Sequence, residues 1–316
     1  MSVDFGSTDS AGVLPARWIH GQRPGGAPDP LLQVHWYDEH TAIIRQSKSV
    51  TFEAPFLYLL FGNERALLLD TGATKDRARF PLRDTVDSLV REWTSRWLAA
   101  ADRDGYGLVV VHSHAHGDHV AGDGQLSDRP HTVVVGHEVS AVRAFFGLAD
   151  WPRDRAELDL GGRVLDVLAI PGHHPAHVAL LDRWAGLLLT GDSVYPGRLY
   201  VRDPRAFAAS LDRLAALVED RAVRHVLGCH IEMTSTPGVD YPVGATYQPD
   251  EARLAMTLGQ LAEVRAAAHR FVDVPGVHRF AAFHLWIGPC RGAAVRQAGR
   301  LLWSRADRLP ILRRWR

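Results

Sequence analysis

Short apolar runs that end abruptly in polar residues recur along this chain. The runs 41–46, 56–61 and 66–69 predict strands, and the turn at Gly62-Asn63 makes the last two a hairpin that ends at Asp70. Residues 83–100 carry helical spacing, which places Val86, Leu89, Val90, Trp93 and Trp97 on one face. The run 108–111 is continuously apolar, as in a buried strand, and leads into a polar segment rich in histidine.

The rest of the chain alternates between the same two patterns. Further strands are predicted at 132–135, 164–170, 177–181, 187–189 and 226–227. Helices are predicted at 138–146, 205–219 and 250–271, the last with Leu254, Leu258 and Leu261 on one face. Strands that alternate with helices indicate an α/β protein built in layers.

Chemically versatile residues follow the predicted strand ends. They are Asp70, the histidines around His114, His173, Asp192 and His230. Loops at one rim of a sheet are held by a rigid scaffold, so we expect these side chains to converge there.

Composition narrows the classes of function. Hydrophobic residues make up 46% and charged residues 23% of the 316 positions, which is typical of a globular protein. Lys+Arg and Asp+Glu both number 36, so no overall positive field favours nucleic acid as a partner. No stretch has the length and apolarity of a transmembrane segment. Two cysteines and an N-terminus without a signal-like apolar core predict a cytoplasmic protein.

Three regions are predicted from local composition. Residues 1–30 are rich in Gly, Pro, Ser and Asp and predict a flexible arm. Residues 31–290 are expected to form the main folded domain, and residues 291–316 a basic helical tail with interleaved aromatics. We favour a tail docked on the domain over one that lies on a membrane surface or binds a partner.

The segment from Ser113 to His119 has the form H-x-H-x-D-H. Imidazole and carboxylate are both good zinc ligands. Residues two apart point the same way in an extended segment, so His114 and His116 can bind one ion, while Asp118 and His119 suit a second. Gly117 is expected to supply a conformation that other residues tolerate poorly. The alternative is a solvated polar loop, which the unusual density of histidine disfavours.

This motif is followed by Pro171-Gly172-His173, Thr190-Gly191-Asp192 and Gly228-Cys229-His230. The order and spacing resemble the metallo-β-lactamase superfamily over about residues 32–230. The resemblance implies a four-layer αββα sandwich with two Zn²⁺ ions, iron and manganese being the other options. It also implies a first site of His114, His116 and His173, a second of Asp118, His119 and His230, and Asp192 as the bridge.

The ligand identities point to a branch of that superfamily. An aspartate at 192 resembles the glyoxalase II, acyl-homoserine-lactone lactonase and ribonuclease Z groups, and histidine at 116 differs from the flavo-diiron branch. We therefore predict a hydrolase of a small acyl ester or thioester, similar to hydroxyacylglutathione hydrolase. A lactonase is the alternative, followed by an iron-dependent sulfur dioxygenase and a ribonuclease Z-like phosphodiesterase. The nucleophile would be a hydroxide that bridges the metals, with Asp118 as the catalytic acid–base group.

Several residues near the metal-ligand motifs allow both a functional and a purely structural interpretation. Tyr195 resembles a tyrosine that lactonases place over the substrate carbonyl, but we favour the alternative of an aromatic packed in its loop. Arg198, Tyr200 and Glu232 are either contacts for a polar substrate or ordinary surface groups. Asp70 either caps a turn or orients a ligand histidine. The partner is expected to be a small acyl substrate, and a homodimer is left open.

Of the histidines around His173, ligand geometry accommodates only one. His177 is expected to support a ligand and His174 to lie at the rim. Cys229 is expected to be a buried thiol that points away from the metals.

Overall fold

The computed structural model describes residues 2–6, 12–23 and 25–288. Within them, two six-stranded sheets and a three-stranded sheet are formed. The first sheet has the order β1-β2-β3-β4-β5-β6, from β1 (Leu32–Asp38), β2 (Thr41–Gln46), β3 (Phe56–Phe61), β4 (Arg65–Leu69), β5 (Gly107–Val111) and β6 (Thr132–Val134).

The second sheet runs through the later part of the chain. It comprises β7 (Arg155–Asp159), β8 (Val164–Ala169), β9 (Val178–Asp182), β10 (Leu187–Gly191), β12 (His225–Gly228) and β13 (Ala255–Met256), in the order β13-β12-β10-β9-β8-β7. The third sheet has the order β11-β15-β14, from β11 (Arg198–Val201), β14 (Gly276–Arg279) and β15 (His284–Ile287).

The helices of the described residues are α1 (Leu82–Trp97), α2 (Ala100–Arg103), α3 (Gly117–Val120), α4 (Val139–Phe146), α5 (Pro204–Asp220) and α6 (Leu258–Arg270). Of these, α1 packs on the outer face of the first sheet, and α5 and α6 pack on the outer face of the second. A short 3-10 turn at Asp123–Gln125 follows α3. None of the helices in the described residues combines the length and apolarity needed to cross a bilayer.

Three apolar cores separate these layers. One core lies between the large sheets and joins side chains such as Leu60 and Leu180. A second lies between the first sheet and α1, where Leu59 meets Trp93. A third lies between the second sheet, α5 and α6. The predicted αββα sandwich is therefore confirmed.

Burial on both faces explains why β3 reads as an unbroken apolar run. Successive side chains of a strand point to opposite faces, so Leu59 and Leu60 enter different cores. All six residues of β3 are buried. A strand with water on one face would instead alternate between apolar and polar positions.

The helix predicted at 250–271 is wrong in its first half. The helix begins at Leu258, because Thr257 accepts from the Gln260 backbone N–H while the Gln260 side chain accepts from the Thr257 backbone N–H. Leu254 precedes this cap, and Ala255 and Met256 pair antiparallel with β12. Of the three periodic leucines, Leu254 therefore precedes a short strand, whereas Leu258 and Leu261 belong to α6. Strands β1, β7, β11, β14 and β15 were missed by the apolar pattern.

Part of the predicted N-terminal arm packs on the domain. Trp18 is buried, and its ring meets Phe56 edge-on at 4.9 Å between centroids. The Val13 backbone N–H donates to the Tyr37 carbonyl at 2.8 Å. The predicted tail, residues 291–316, lies outside the described residues.

Candidate metal centre

The side chains singled out at strand ends are brought together by parallel pairing. Strands β4 and β5 run parallel, as do β10 and β12, so their carboxyl ends share a rim. Asp192 directly follows β10, and His230 lies two residues past β12. His173 follows β8, and the H-x-H-x-D-H segment leaves β5 and enters α3.

Three imidazoles converge in the first cluster. His114 Nε2 lies 2.8 Å from His116 Nδ1, which lies 3.0 Å from His173 Nε2. Asp192 Oδ2 is 3.9 Å from His114 Nε2 and 3.7 Å from His173 Nε2. These four side chains offer ligand atoms that all lie within 4.8 Å of one another.

The second cluster shares Asp192. His119 Nε2 lies 3.5 Å from Asp118 Oδ2 and 3.5 Å from Asp192 Oδ1. His230 Nε2 lies 3.3 Å from the same two oxygens. Ligands at about 2.1 Å from a tetrahedral ion are about 3.4 Å apart, so these spacings match a zinc-like coordination sphere.

Hydrogen bonds on the far side of the rings orient the ligands. His173 Nδ1 lies 2.7 Å from the Tyr200 carbonyl, His230 Nδ1 lies 3.1 Å from the Glu53 carbonyl, and His119 Nδ1 lies 2.9 Å from Asp70 Oδ2. Each Nδ1 therefore carries its hydrogen toward an acceptor. The lone pair of Nε2 is left facing the cluster, which is the tautomer a metal requires.

The pKa values of most of the clustered side chains also favour the binding of cations. Burial and the neighbouring histidines lower the pKa of His114 well below its ordinary value and that of His116 to about 4. Burial opposes ionisation of Asp118 and Asp192, yet His119 and His230 hold both pKa values below the ordinary range. Burial opposes protonation of His119 and His230 as well, yet neighbouring carboxylates, chiefly Asp70 for His119 and Asp192 for His230, raise the pKa of both. Imidazole binds metal only in its neutral form, so a cation in the second cluster would displace protons from these two histidines.

Unpartnered polar atoms identify where a cation fits. His119 Nε2 and Asp192 Oδ1 are buried and have no hydrogen-bond partner among the described residues. Buried polar atoms are seldom left unpaired. For His119 and Asp192, the orphaned atoms are those that face the second cluster. The two clusters are consistent with a binuclear metal site.

An open cavity of about 550 Å³ gives access to the clusters. Its lining joins the ligands His116, Asp118, His173 and Asp192 to a wall from the third sheet and the residues after it, Tyr200, Val201, Arg202, Trp286 and Gly288. Arg202 and Trp286 were missed by sequence reasoning. Arg202 could have been found from its position two residues past Tyr200, whereas no local signal marks Trp286.

Comparison with known proteins agrees with this geometry. The sequence profile of the Metallo-beta-lactamase superfamily matches residues 50–230. The chain belongs to this superfamily. The matched range contains all of the side chains in the two clusters.

Within the superfamily, this member is distantly homologous to hydroxyacylglutathione hydrolases. It is 30% identical over 162 residues to that of Aeromonas hydrophila, covering 50% of this chain and 59% of the relative. It is 39% identical over 127 residues to that of Ruegeria pomeroyi, covering 39% and 49%. The match to that of Dechloromonas aromatica is 27% identical and covers 78% and 82%. Against the first two relatives, the chain spans about half of the relative's length.

Three of the four predicted substrate contacts, Tyr195, Arg198 and Glu232, bond to one another behind the cavity and do not line it. The Tyr195 hydroxyl donates to the Arg198 carbonyl at 2.5 Å and lies 3.1 Å from Glu232 Oε2. Arg198 pairs with Glu232 and, at 3.0 Å, with Asp240. Tyr195 and Arg198 are buried. Only Tyr200 of the four lines the cavity.

The remaining neighbours support the ligands from behind. Asp70 is fully buried and accepts from the Ser113 backbone N–H at 2.7 Å, besides facing His119. Cys229 Sγ lies 3.2 Å from Asp70 Oδ2, on the side of His119 away from the clusters. His177 is buried with its ring stacked on His114 at 4.8 Å between centroids.

The backbone conformation and the close neighbours of Gly191 exclude a side chain there, whereas Gly117 is under no such constraint. Gly191 has φ +51°, and a Cβ placed there would lie 2.5 Å from His177 Nε2. Only a residue without a side chain therefore allows Asp192 to follow β10 so closely. The expectation for Gly117 is wrong, since it adopts no positive φ and a Cβ there would meet nothing within 4 Å. Helical geometry at the start of α3 makes no special demand.

Proposed function

We propose that this protein is a dinuclear metal hydrolase that cleaves small acyl thioesters or esters, in the manner of hydroxyacylglutathione hydrolase. One observation carries the proposal. Two clusters of imidazole and carboxylate share Asp192 at the floor of an open cavity. A shared carboxylate keeps two cations adjacent, which is the arrangement that hydrolytic two-metal sites use.

The metals would be held by His114, His116 and His173 on one side and by Asp118, His119 and His230 on the other, with Asp192 between them. Zinc is the proposed ion, because nitrogen and carboxylate donors at tetrahedral spacing suit it. When bound, such a pair supplies an acidified water and polarises an acyl carbonyl.

The chain's own groups would complete the reaction. Asp118 lines the cavity, and its lowered pKa keeps the carboxylate ionised. It would orient the attacking water, accept its proton and deliver that proton to the leaving group. Tyr200, Arg202 and Trp286 form the side of the cavity against which the substrate would lie.

Thioester or ester cleavage is favoured over the two other hydrolytic reactions. A lactonase role for Tyr195 would need its hydroxyl at the substrate, but that hydroxyl is occupied inside the wall. Phosphodiester cleavage in RNA would gain little from a chain of formal net charge zero. The names of the relatives point to a thioester.

The test is a substrate panel on protein purified without chelator and analysed for metals. We expect two transition-metal ions per chain, and turnover of S-acylglutathione thioesters at least ten-fold above that of lactones or phosphodiesters. A stoichiometry of one with the ligands intact would contradict the two-metal mechanism. One iron per chain with oxygen uptake would instead indicate a sulfur dioxygenase.

A further inference from the structure

A second cavity lies apart from the metal centre. It has a volume of about 500 Å³ and separates residues 12–20 from the segment 248–255. Of its lining residues, only His225 falls within the range that matches the superfamily. His225 begins β12, whereas the ligand His230 follows the other end of that strand. The two cavities are therefore distinct.

Hydrogen bonds and close backbone contact fix the walls of this cavity. The Arg17 guanidinium donates to the Pro249 carbonyl at 2.7 Å, and the Gln248 backbone N–H donates to the His20 carbonyl at 2.8 Å. Gly21 has φ +91°, and a Cβ there would lie 1.9 Å from the Thr246 carbonyl oxygen. The arm thus arches over the segment 248–255 and is held there.

One buried acceptor in the lining has no partner. Gln248 is 3% exposed, and its Oε1 forms no hydrogen bond within the part of the chain that the structure describes. Burying an amide oxygen without a donor is costly. A ligand that presents an N–H group to Gln248 would remove that cost.

The charged groups of the lining leave an excess of positive charge. Arg17 and Arg253 both line the cavity, and neither forms an ion pair with any described carboxylate. Glu251 also lines it, but its two oxygens accept from Arg45 at 2.5 and 2.6 Å. The Arg253 guanidinium, together with the N–H groups of Arg17 other than the one that donates to Pro249, is therefore available to a ligand oxyanion, for which a planar fork of donors is suited.

An apolar surface adjoins these polar groups. Trp18 is 7% exposed and lines the cavity with Leu14 and Leu254. An aromatic or aliphatic group of a ligand would be buried there, which is favourable in proportion to the apolar area removed from water.

We propose that this cavity binds a small organic carboxylate that carries an N–H group next to an apolar group, the chemistry of an N-acylated amino acid. The carboxylate pairs with Arg253 and Arg17, the N–H donates to Gln248 Oε1, and the apolar group packs on Trp18. The inference does not depend on the proposed hydrolase activity.

The test uses calorimetry on the full-length, metal-loaded protein with hippurate, which is a carboxylate with an N–H and a phenyl ring. Benzoate lacks the N–H, and benzamide lacks the carboxylate. We expect hippurate to bind at one site per chain. Arg253→Gln should weaken hippurate at least five-fold and leave benzamide unchanged, and Gln248→Leu should weaken hippurate at least five-fold and leave benzoate unchanged.

A matched variant in the other cavity separates the two sites. Arg202→Gln removes a guanidinium from the wall of the metal centre and should leave hippurate affinity unchanged. If Arg202→Gln abolished binding while Arg253→Gln did not, hippurate would be a ligand of the metal centre and the proposal would be wrong. Absence of hippurate binding at 10 mM would overturn it as well. Arg253 is exposed, so its variant is expected to fold even if Gln248→Leu does not.

Discussion

At the scale of single residues, Asp70 shows how a group outside both clusters orients a metal ligand. Its carboxylate accepts from the Ser113 backbone N–H at 2.7 Å and from the Ser113 hydroxyl at 2.9 Å, and it faces His119 Nδ1 at 2.9 Å. Its backbone has φ 67°, which is unusual for a residue other than glycine. Strain of this kind persists only where surrounding contacts over-determine it. Of the two interpretations of Asp70, the orienting one fits these contacts.

Asp118→Asn should damage the rate far more than the fold. The substitution keeps the shape but removes the charge that helps to hold the second ion and to position the attacking water. We expect kcat to fall by about 10²–10⁴-fold, as for a missing acid–base group. The melting temperature should fall only by the share that the second ion contributes through binding. Measuring kcat, metal content and melting temperature on one preparation tests this, and a near-normal kcat would refute the role of Asp118.

Gly191→Ala should disturb the centre, while Gly117→Ala should not. An alanine at 191 must hold φ near +51° with its Cβ 2.5 Å from His177 Nε2 and 2.7 Å from the Ser113 Cβ. We expect a loss of about 2–4 kcal/mol in the free energy of unfolding, together with reduced metal content. Gly117 starts α3 in open space, so its alanine variant is the matched control and should stay within about 1 kcal/mol of the parent. Denaturant unfolding of both variants, with metal analysis, makes the comparison; equal stabilities would show that the loop relaxes freely.

At the scale of elements, the strand ends were predictable and the third sheet was not. Strands that share one direction, such as β4 with β5 and β10 with β12, carry the polar residues that follow them to the same rim. The placement of versatile residues after apolar runs was therefore enough to anticipate the clustering of His114, His173, Asp192 and His230. Strand β11 is short, Arg198–Val201, and its partner β15 lies much later in the chain, at His284–Ile287. Such pairing has no local signature.

The fate of Arg198 illustrates the same limit within the site. Its position after Asp192 suggested a substrate contact, yet its guanidinium reaches Asp240, which is 42 residues away in sequence. A long-range partner of this kind decides whether an arginine faces a cavity or the interior. The ligands His114, His116, Asp118 and His119 were easier to predict, because their spacing within one segment is itself the signal. The three later ligands followed from the resemblance of their short motifs to those of the superfamily.

Arg163 links the two large sheets and should be costly to remove. It is fully buried, pairs with the equally buried Asp182 of β9, and donates to the His40 carbonyl between β1 and β2 and to the Phe61 carbonyl of β3. Arg163→Met leaves a carboxylate buried without its partner, which typically costs about 3–5 kcal/mol. Urea unfolding should show this loss.

Two controls define the origin of that loss. Adding Asp182→Leu to Arg163→Met should recover part of the stability, because the second change removes the unpaired charge. Arg77→Met breaks a solvent-exposed pair with Asp84 and should leave the free energy of unfolding nearly unchanged. If the double variant were less stable than Arg163→Met alone, packing and not charge would dominate at this position.

At the scale of the whole molecule, its histidines fall into groups with opposite roles. Those of the metal centre gather around Asp192 beside an open cavity. His40 instead lies in the aromatic packing that joins the layers, with ring centroids 4.6 Å from Trp97 and 5.2 Å from Trp184. Its Nδ1 accepts from the Trp93 indole N–H at 3.0 Å. It must therefore be neutral in the folded state.

Stability should consequently fall in mild acid, and His40 should account for a measurable part of that fall. Burial, reinforced by Arg163 and Arg96, lowers the pKa of His40 to about 4 from 6.5. Between these values the unfolded chain binds a proton that the folded chain does not, so the contribution is lost as pH falls from about 6.5 toward 4 and is unaffected above 7. The most that this pKa shift can contribute to the free energy of unfolding is about 3 kcal/mol. His40→Gln keeps an acceptor for Trp93 without titrating, so its unfolding free energy should depend less on pH than that of the parent. Urea unfolding at pH 8, 6 and 5 measures the difference, and parallel curves for the two proteins would exclude His40 as its source.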